Sequence, residues 1–517
     1  MKKNNILKNA VILFTAMIIT KLLSAVLKIP LTNILGGVGM GYFSAAYSVF
    51  MPVYALTAAA LPAVIMRMTA RNVVSGNFAN AVKIRRVGVL CGSMLGITGT
   101  AIIILIASPF AKYVSGSANS LPAMLIIAPS LFFCCISAVY RGYYEGLSNM
   151  LPTAITQIIE AVVKSAIGIV LALVVVSKGG DNLLPYASAA AVAGITAGEL
   201  CGLLFMLIRT RLLPDSITAY EIKNSPAPQN SLKIVKTIFK DTLPITLAAL
   251  AMNINPLIDL MTITNMCGTF VYGSYTGIST SIFALVTAIT AMLSKSALPE
   301  ITLAYEKRNT PDLIRSLKIL FKGTFIICFP LCLGLAAIAE PLLSLLYFSK
   351  PAEVAVSTLP LIVLCLGGAS LVLAGTLFSI FTAIGRADLQ VKLMLVGAAV
   401  KLCGNLVLIR IPQLSVTGAA LATVACYSIV SVIGLFMLKG LVKEKLEMPR
   451  FFLQPLIFAG LCGLGAYFSH YHVFVNLPPM FRITASVAVG ALVYIICTSI
   501  ADKKYIGYFL IKKATEV

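Results

Sequence analysis

Residues 19–47 read ITKLLSAVLKIPLTNILGGVGMGYFSAAY, an apolar helix running into a glycine-rich turn, with Lys21 and Lys28 set inside the apolar run. An ammonium group at mid-helix in a bilayer costs about 2.5–3.5 kcal/mol, so such residues face a cavity or a partner rather than lipid. A spacing of seven residues advances about 700°, within about 20° of two full turns, and both lysines project from one face. The segment is therefore a membrane helix with a cationic stripe, and the rest of the chain has to supply what the stripe faces.

The composition places the whole chain in the membrane: 59% of the 517 residues are hydrophobic, 11% are charged and the mean hydropathy is +0.97. Apolar runs of about twenty residues recur throughout, each long enough to span a bilayer. They segment into fourteen helices, at 9–35, 41–66, 87–110, 121–140, 152–177, 183–208, 241–265, 271–294, 319–339, 355–383, 389–411, 416–438, 451–470 and 480–500. The expected fold is an all-α polytopic membrane protein. The first helix, although preceded by Lys2, Lys3 and Lys8, lacks a small-residue cleavage site before a polar sequence and is expected to stay uncleaved.

The net charge of +22 would point to nucleic acid in a soluble protein, but its distribution has another cause. With the amino terminus inside, most Lys and Arg fall in the inner segments, and the outer loops hold Lys112, Lys178, Lys350, Arg410 and Arg482. That asymmetry is the positive-inside pattern. It predicts a multi-pass protein of the cell membrane with both termini cytoplasmic and no nucleic-acid partner. Left over are Lys21, Lys28, Lys164, Lys392 and Lys401, which lie within helices. The twelve cysteines show no ligand spacing and read as small apolar fillers. His470 and His472, at an outer helix end, read as interfacial, a metal pair being the other option. No cofactor is implied.

The longest polar connection, 209–240, divides six helices from eight. On either side of it the sequence repeats. TNILGGVGMGYFSA (32–45) aligns with TNMCGTFVYGSYTG (264–277) through Thr32/Thr264, Asn33/Asn265, Gly36/Gly268 and Gly41/Gly273, and VKSAIGIVL (163–171) aligns with VKLCGNLVL (400–408), overlaying Lys164 on Lys401. Helix n thus resembles helix n+6. Six being even, the copies enter the membrane in the same direction as parallel repeats. The organisation expected is an N-lobe (1–210), a cytoplasmic linker (211–240), a C-lobe (241–440) and a C-terminal part (441–517) with two extra helices and a basic tail. The two pseudo-symmetric six-helix lobes then enclose a central cavity.

In NMLPTAITQIIEAVVKSAIG (149–168), Gln157, Glu160 and Lys164 fall on one helix face. Glu160 and Lys164 are spaced to neutralise each other at i, i+4, but Lys21, Lys28 and Lys401 have no such carboxylate. A cavity lined by these helices holds excess positive charge and suits an anion, with lysine a compact point charge for phosphate oxygens. Asp259, near Asn255, is a candidate site for a coupling cation such as Na+ or H+, or a hydrogen-bonding partner of a neighbour. Pro52, Pro62, Pro244 and Pro256 are kinks for gating or static bends. No clustered Asp or Glu occupies a sizeable outer loop and no phosphate-binding loop of the Walker type occurs, so neither an enzyme nor a primary pump is expected.

Four further stretches carry a resemblance: RGYYEGLSNMLPTAITQIIEAVVK (141–164), KIPLTNILGGVGMGYFSAAYSVF (28–50), LPEITLAYEKRN (298–309) with LGLAAIAEPLLSLLY (333–347), and VGAAVKLCGNLVLIRIPQLSVTGAALAT (396–423). Together they resemble the stage V sporulation protein B group of polysaccharide transporters, in the multidrug/oligosaccharidyl-lipid/polysaccharide exporter superfamily and related to lipid II flippases. The resemblance implies two six-helix lobes around a V-shaped cavity, alternating access, and a polyprenyl-pyrophosphate-linked sugar as substrate. It further implies that Lys21, Lys28, Lys164 and Lys401, with Gln157 and Glu160, line the substrate path. Lys28 and Lys164 stand where relatives often carry arginine, which keeps the charge but not a bidentate fork. The expected protein is a monomeric flippase of cell-wall precursors such as lipid II, with a role in spore cortex peptidoglycan synthesis; the alternative on the same fold is a cation-coupled multidrug or small-molecule antiporter.

Overall fold

The computed structural model describes residues 3–212, 217–442 and 448–501; the side chains of most residues before Lys28, and of Asp181, Ala219, residues 448–451 and Ala501, fall outside the description. Among the described residues every regular element is helical. The α-helices are α1 (Lys3–Thr57), α2 (Leu61–Val74), α3 (Phe78–Pro109), α4 (Leu121–Ile127), α5 (Ser130–Gly146), α6 (Leu151–Val176), α7 (Leu184–Leu212), α8 (Ala219–Lys223), α9 (Ser231–Met252), α10 (Ile254–Cys267), α11 (Thr269–Ser274), α12 (Thr280–Glu306), α13 (Thr310–Ala337), α14 (Ala339–Leu346), α15 (Pro351–Leu366), α16 (Gly368–Ala383), α17 (Ala387–Leu408), α18 (Val416–Val442), α19 (Met448–Phe468) and α20 (Pro479–Ala501).

Twelve helical segments among the described residues are long and apolar enough to cross a bilayer, and the pair α15 and α16, bent by 57°, makes a thirteenth if it forms one span. Fourteen were expected. The difference lies at the amino terminus, where the segment expected at 9–35 falls mostly among residues whose side chains are not described. Of the remaining thirteen expected helices, twelve each coincide with one observed span, and 355–383 coincides with the bent pair α15 and α16.

Packing divides the chain into two compact units, Met1–Gly277 and Ile278–Val517. Within the first, small residues set the helix spacing, because in lipid the association of helices rests on close van der Waals packing rather than on expulsion of water. Gly88, Gly92, Gly96 and Gly99 lie along the buried face of α3, with Gly92 over the Cys135 carbonyl and Gly96 over the Phe132 backbone of α5. Leu90, Met94, Ile97 and Leu105 cover the opposite, exposed face. This polarity, small residues inside and large apolar residues outside, is that of a lipid-facing helix. The same device joins α6 to α7: Gly194 sits over the Lys164 carbonyl and Gly168, Gly198 over the Glu160 carbonyl, and Gly202 over the Glu160 side chain.

The aligned glycines of the sequence repeat share one backbone state. Gly36 breaks α1 at φ 64°, ψ −174°, and Gly268 separates α10 from α11 at φ 90°, ψ 166°. That region is open in practice to glycine alone. The two copies of the motif therefore make the same break, which is a structural echo independent of the letters aligned.

The polar connection after α7 is built rather than slack. Thr218 caps α8 reciprocally with Glu221, and Ile217 packs with Ala81 and Val82 of α3. The Asn80 amide donates to Asn72 Oδ1 (2.7 Å), while Asn80 Oδ1 accepts from the Gln229 amide (3.1 Å). Asn80→Ala removes both bonds and leaves a half-buried Asn72 side chain and an exposed Gln229 N–H that water can reach, a loss of about 1 kcal/mol. The expected readout is faster limited proteolysis between residues 213 and 230, with cleavage elsewhere unchanged.

Candidate functional site

The candidate site begins where the two repeat motifs touch. Gly37 and Gly41 of α1 cross Gly273 of α11 so tightly that a Cβ on Gly273 would fall on the Gly37 carbonyl oxygen and the Gly41 nitrogen. Gly41 and Gly273 are the aligned pair. Three residues on, the Thr276 hydroxyl donates to Ser44 Oγ at 2.9 Å, and these two are also counterparts at the repeat offset of 232. Residues 37–44 and 269–276 thus meet counterpart to counterpart at this crossing.

Lys28 reaches this crossing. Its ammonium donates to the Thr276 carbonyl at 3.1 Å, one turn from Thr32, whose hydroxyl donates to the Lys28 carbonyl at 2.9 Å. The Lys164 ammonium, from α6, lies close enough for the two cations to repel. Both side chains are half-buried, and neither makes an ion pair with a carboxylate among the described residues. Gln157 is on the same helix as Lys164, with its Oε1 buried and without a hydrogen-bond partner there. The Lys21 side chain lies outside the described residues.

Glu160 is engaged elsewhere. Its carboxylate accepts from the Arg141 guanidinium of α5 in a salt bridge with 14% and 18% of the two side chains exposed, although Lys164 remains within its electrostatic reach. Glu199 of α7 and Tyr54 of α1 share this environment, and the Cys134 thiol lies within electrostatic reach of Glu199. One guanidinium thus lies among two carboxylates, a phenol and a thiol where α1, α5, α6 and α7 meet. The sequence reading misses this cluster because it ends the helix 121–140 six residues short, which puts Arg141 in a loop. The helix in fact continues to Gly146, through Gly142, which packs closely on the Pro62 carbonyl of α2.

Removing Arg141 leaves the two carboxylates facing each other. Arg141→Leu is expected to lower stability by about 2 kcal/mol, below the full cost of breaking a buried pair because the site keeps some solvent contact. Adding Glu160→Gln should recover most of that loss. The midpoint of thermal unfolding in detergent, measured for both singles and the double, checks it, since only coupled residues give the non-additive result.

The other sequence candidates have surroundings of their own. Asn255 and Asp259 project from α10 one turn apart, both buried, at 2% and 9% exposure. Asp259 is within electrostatic reach of Tyr272, whose hydroxyl shares a 3.2 Å hydrogen bond with Ser48. In the second unit Lys401 is 3% exposed and donates to the Thr423 hydroxyl of α18 at 3.0 Å. Its neighbours Asn405 and Gln390 are buried on the same helix, α17.

Against known proteins, residues 6–305 match the family model described as polysaccharide biosynthesis protein. The chain is 23% identical to stage V sporulation protein B of Bacillus subtilis (strain 168) over 516 residues, covering 96% of this chain and 95% of that protein. It is 21% identical to the lipid II flippase MurJ of the same organism over 467 residues, covering 84% and 83%. A solved structure of lipid II flippase MurJ, in an inward closed conformation, superposes with a TM-score of 0.69 at 16% identity, covering 96% of this chain and all of that one.

Proposed function

Because the chain belongs to the polysaccharide biosynthesis protein family, we propose that it is a flippase, carrying a polyprenyl-pyrophosphate-linked cell-wall precursor from the inner to the outer leaflet by alternating access of two lobes. The observation that supports this most is the pair Lys28 and Lys164. Arg141 holds the Glu160 carboxylate, so neither of the two mutually repelling ammonium groups makes an ion pair among the described residues. Two neighbouring cations at the level of the spans call for a dianionic ligand, and a pyrophosphate bridges them. Lys21, seven residues before Lys28 in the sequence, is proposed to take part in the same binding. Lys401, overlaid on Lys164 by the repeat, is proposed to answer it from the second lobe, with Gln157 on the Lys164 wall.

The remaining details belong to the same reading. The substrate head is lipid II or a lipid-linked oligosaccharide, the termini are cytoplasmic, and the protein works as a monomer in the cell membrane. Likeness to stage V sporulation protein B supports a role in spore cortex peptidoglycan synthesis. Coupling is assigned to Asn255 and Asp259, which offer an amide and a carboxylate to Na+ or H+. An inside-negative potential worth about 2.3 kcal/mol per charge per 100 mV drives the anionic substrate outward, and the returning cation resets the carrier.

The test is flipping by purified protein in proteoliposomes, comparing lipid II with another polyprenyl pyrophosphate sugar and with a polyprenyl sugar lacking phosphate. Transport of both pyrophosphates and not of the third supports the reading. Equal transport of all three, or of an organic cation in their place, overturns it in favour of the antiporter.

A further inference from the structure

In the second unit, at the end where α13 stops and α15 begins, a cavity of about 440 Å³ opens between α14 and α15. Its size is that of a small-molecule pocket. One wall is a stripe along a single face of α15, running from Pro351 through Leu359 to Ile362, about 16 Å at 1.5 Å per residue. Glu340, Ser344, Tyr347 and Phe348 form the other.

Two polar groups of the second wall are left open to a ligand, although Glu340 lies within electrostatic reach of Tyr471. Tyr347 is fully buried, and its hydroxyl has no hydrogen-bond partner among the described residues, whereas buried tyrosine hydroxyls ordinarily find one. Glu340 is exposed and makes no ion pair among the described residues. Phe348 is 81% exposed, and no lysine or arginine lines the cavity. The walls combine a carboxylate, a phenol oxygen, an open aromatic face and a long apolar stripe.

We propose that this cavity binds a primary ammonium carried on an apolar chain, with the ammonium at Glu340 and Tyr347 and the chain along the face of α15. The carboxylate supplies the counter-charge, and the phenol oxygen accepts an N–H from the ammonium. The Phe348 ring adds a cation–π face, and the α15 stripe shelters the hydrocarbon. The site stands in the second unit on its own residues and does not depend on how the substrate pyrophosphate binds. Two sources supply this chemistry: the head group of an aminophospholipid, or a soluble long-chain amine.

Calorimetric titration of the purified protein with dodecylamine and with dodecanol tests the chemistry. Wild-type protein should bind the amine at least tenfold more tightly than the alcohol, and Glu340→Gln should abolish that preference. Tyr347→Phe, which keeps the ring, should weaken amine binding about threefold. Native mass spectrometry then separates the sources. Retention of phosphatidylethanolamine over phosphatidylcholine in wild type but not in Glu340→Gln assigns the lipid, and dodecylamine binding without such retention assigns the soluble amine. An amine preference that survives Glu340→Gln, equal binding of amine and alcohol, or binding of a neutral disaccharide in their place overturns the proposal. Glu340 is exposed, so its substitution leaves the fold in place.

Discussion

Replacing Lys28 and Lys164 together by glutamine is expected to reduce flipping of a lipid-linked pyrophosphate by at least a hundredfold, with membrane abundance close to that of the wild type. A hydrogen bond to a charged group contributes about 1.5–3 kcal/mol, so two of them sum to about 3–6 kcal/mol, and about 1.4 kcal/mol corresponds to a factor of ten. The folded state loses little by comparison. Lys28 gives up one hydrogen bond to the Thr276 carbonyl, and removing two cations that repel each other relieves the empty site. Charge-preserving Lys28→Arg and Lys164→Arg should retain most activity. Initial flipping rates in proteoliposomes, normalised to reconstituted protein, are the measurement. A double glutamine variant as active as the wild type removes these lysines from the substrate path.

The other large effect falls on the crossing of the repeats. Gly273→Val is expected to prevent accumulation of folded protein, because its Cβ would occupy the positions of the Gly37 carbonyl oxygen and the Gly41 nitrogen. Both obstacles are backbone, so no rotamer change relieves the overlap. The chains must separate, and separation also breaks the hydrogen bonds of Thr276 with Ser44 and of Tyr272 with Ser48. Overpacking a well-filled core usually costs about 1–3 kcal/mol; a backbone overlap exceeds that range. Gly440→Val makes the control, since a Cβ there meets nothing within 4 Å. Monodispersity after detergent extraction should be lost in Gly273→Val and kept in Gly440→Val.

These two experiments mark different levels of what the chain encodes. The span pattern, the all-helical class and the internal repeat were legible in the amino-acid sequence alone. Hydropathy over twenty residues is a local property that the bilayer reads directly, and a glycine needed for a backbone state that only glycine adopts, as at Gly36 and Gly268, is local as well. The cationic face expected on α1 rests on helical periodicity alone, and of its two lysines only the side chain of Lys28 is among those described.

Partnerships between helices were another matter. By spacing, Glu160 belonged to Lys164 on its own helix, and only the packing of α5 against α6 gave it to Arg141. Likewise the contact of Gly41 with Gly273, and that of Ser44 with Thr276, joins residues 232 positions apart. Alignment shows that such residues correspond, but not that they touch. Tyr347 and Glu340 are separated by less than two helical turns from each other, yet that both are left open to a ligand emerges only once α15 is laid alongside. Sequence determined where the chain enters the membrane and which faces carry charge, since those depend on neighbours along the backbone and on the solvent. Which charge is neutralised, and which stays available to a ligand, was decided by tertiary structure, because Coulomb energy in a low-dielectric interior depends on distances through space that no linear spacing records.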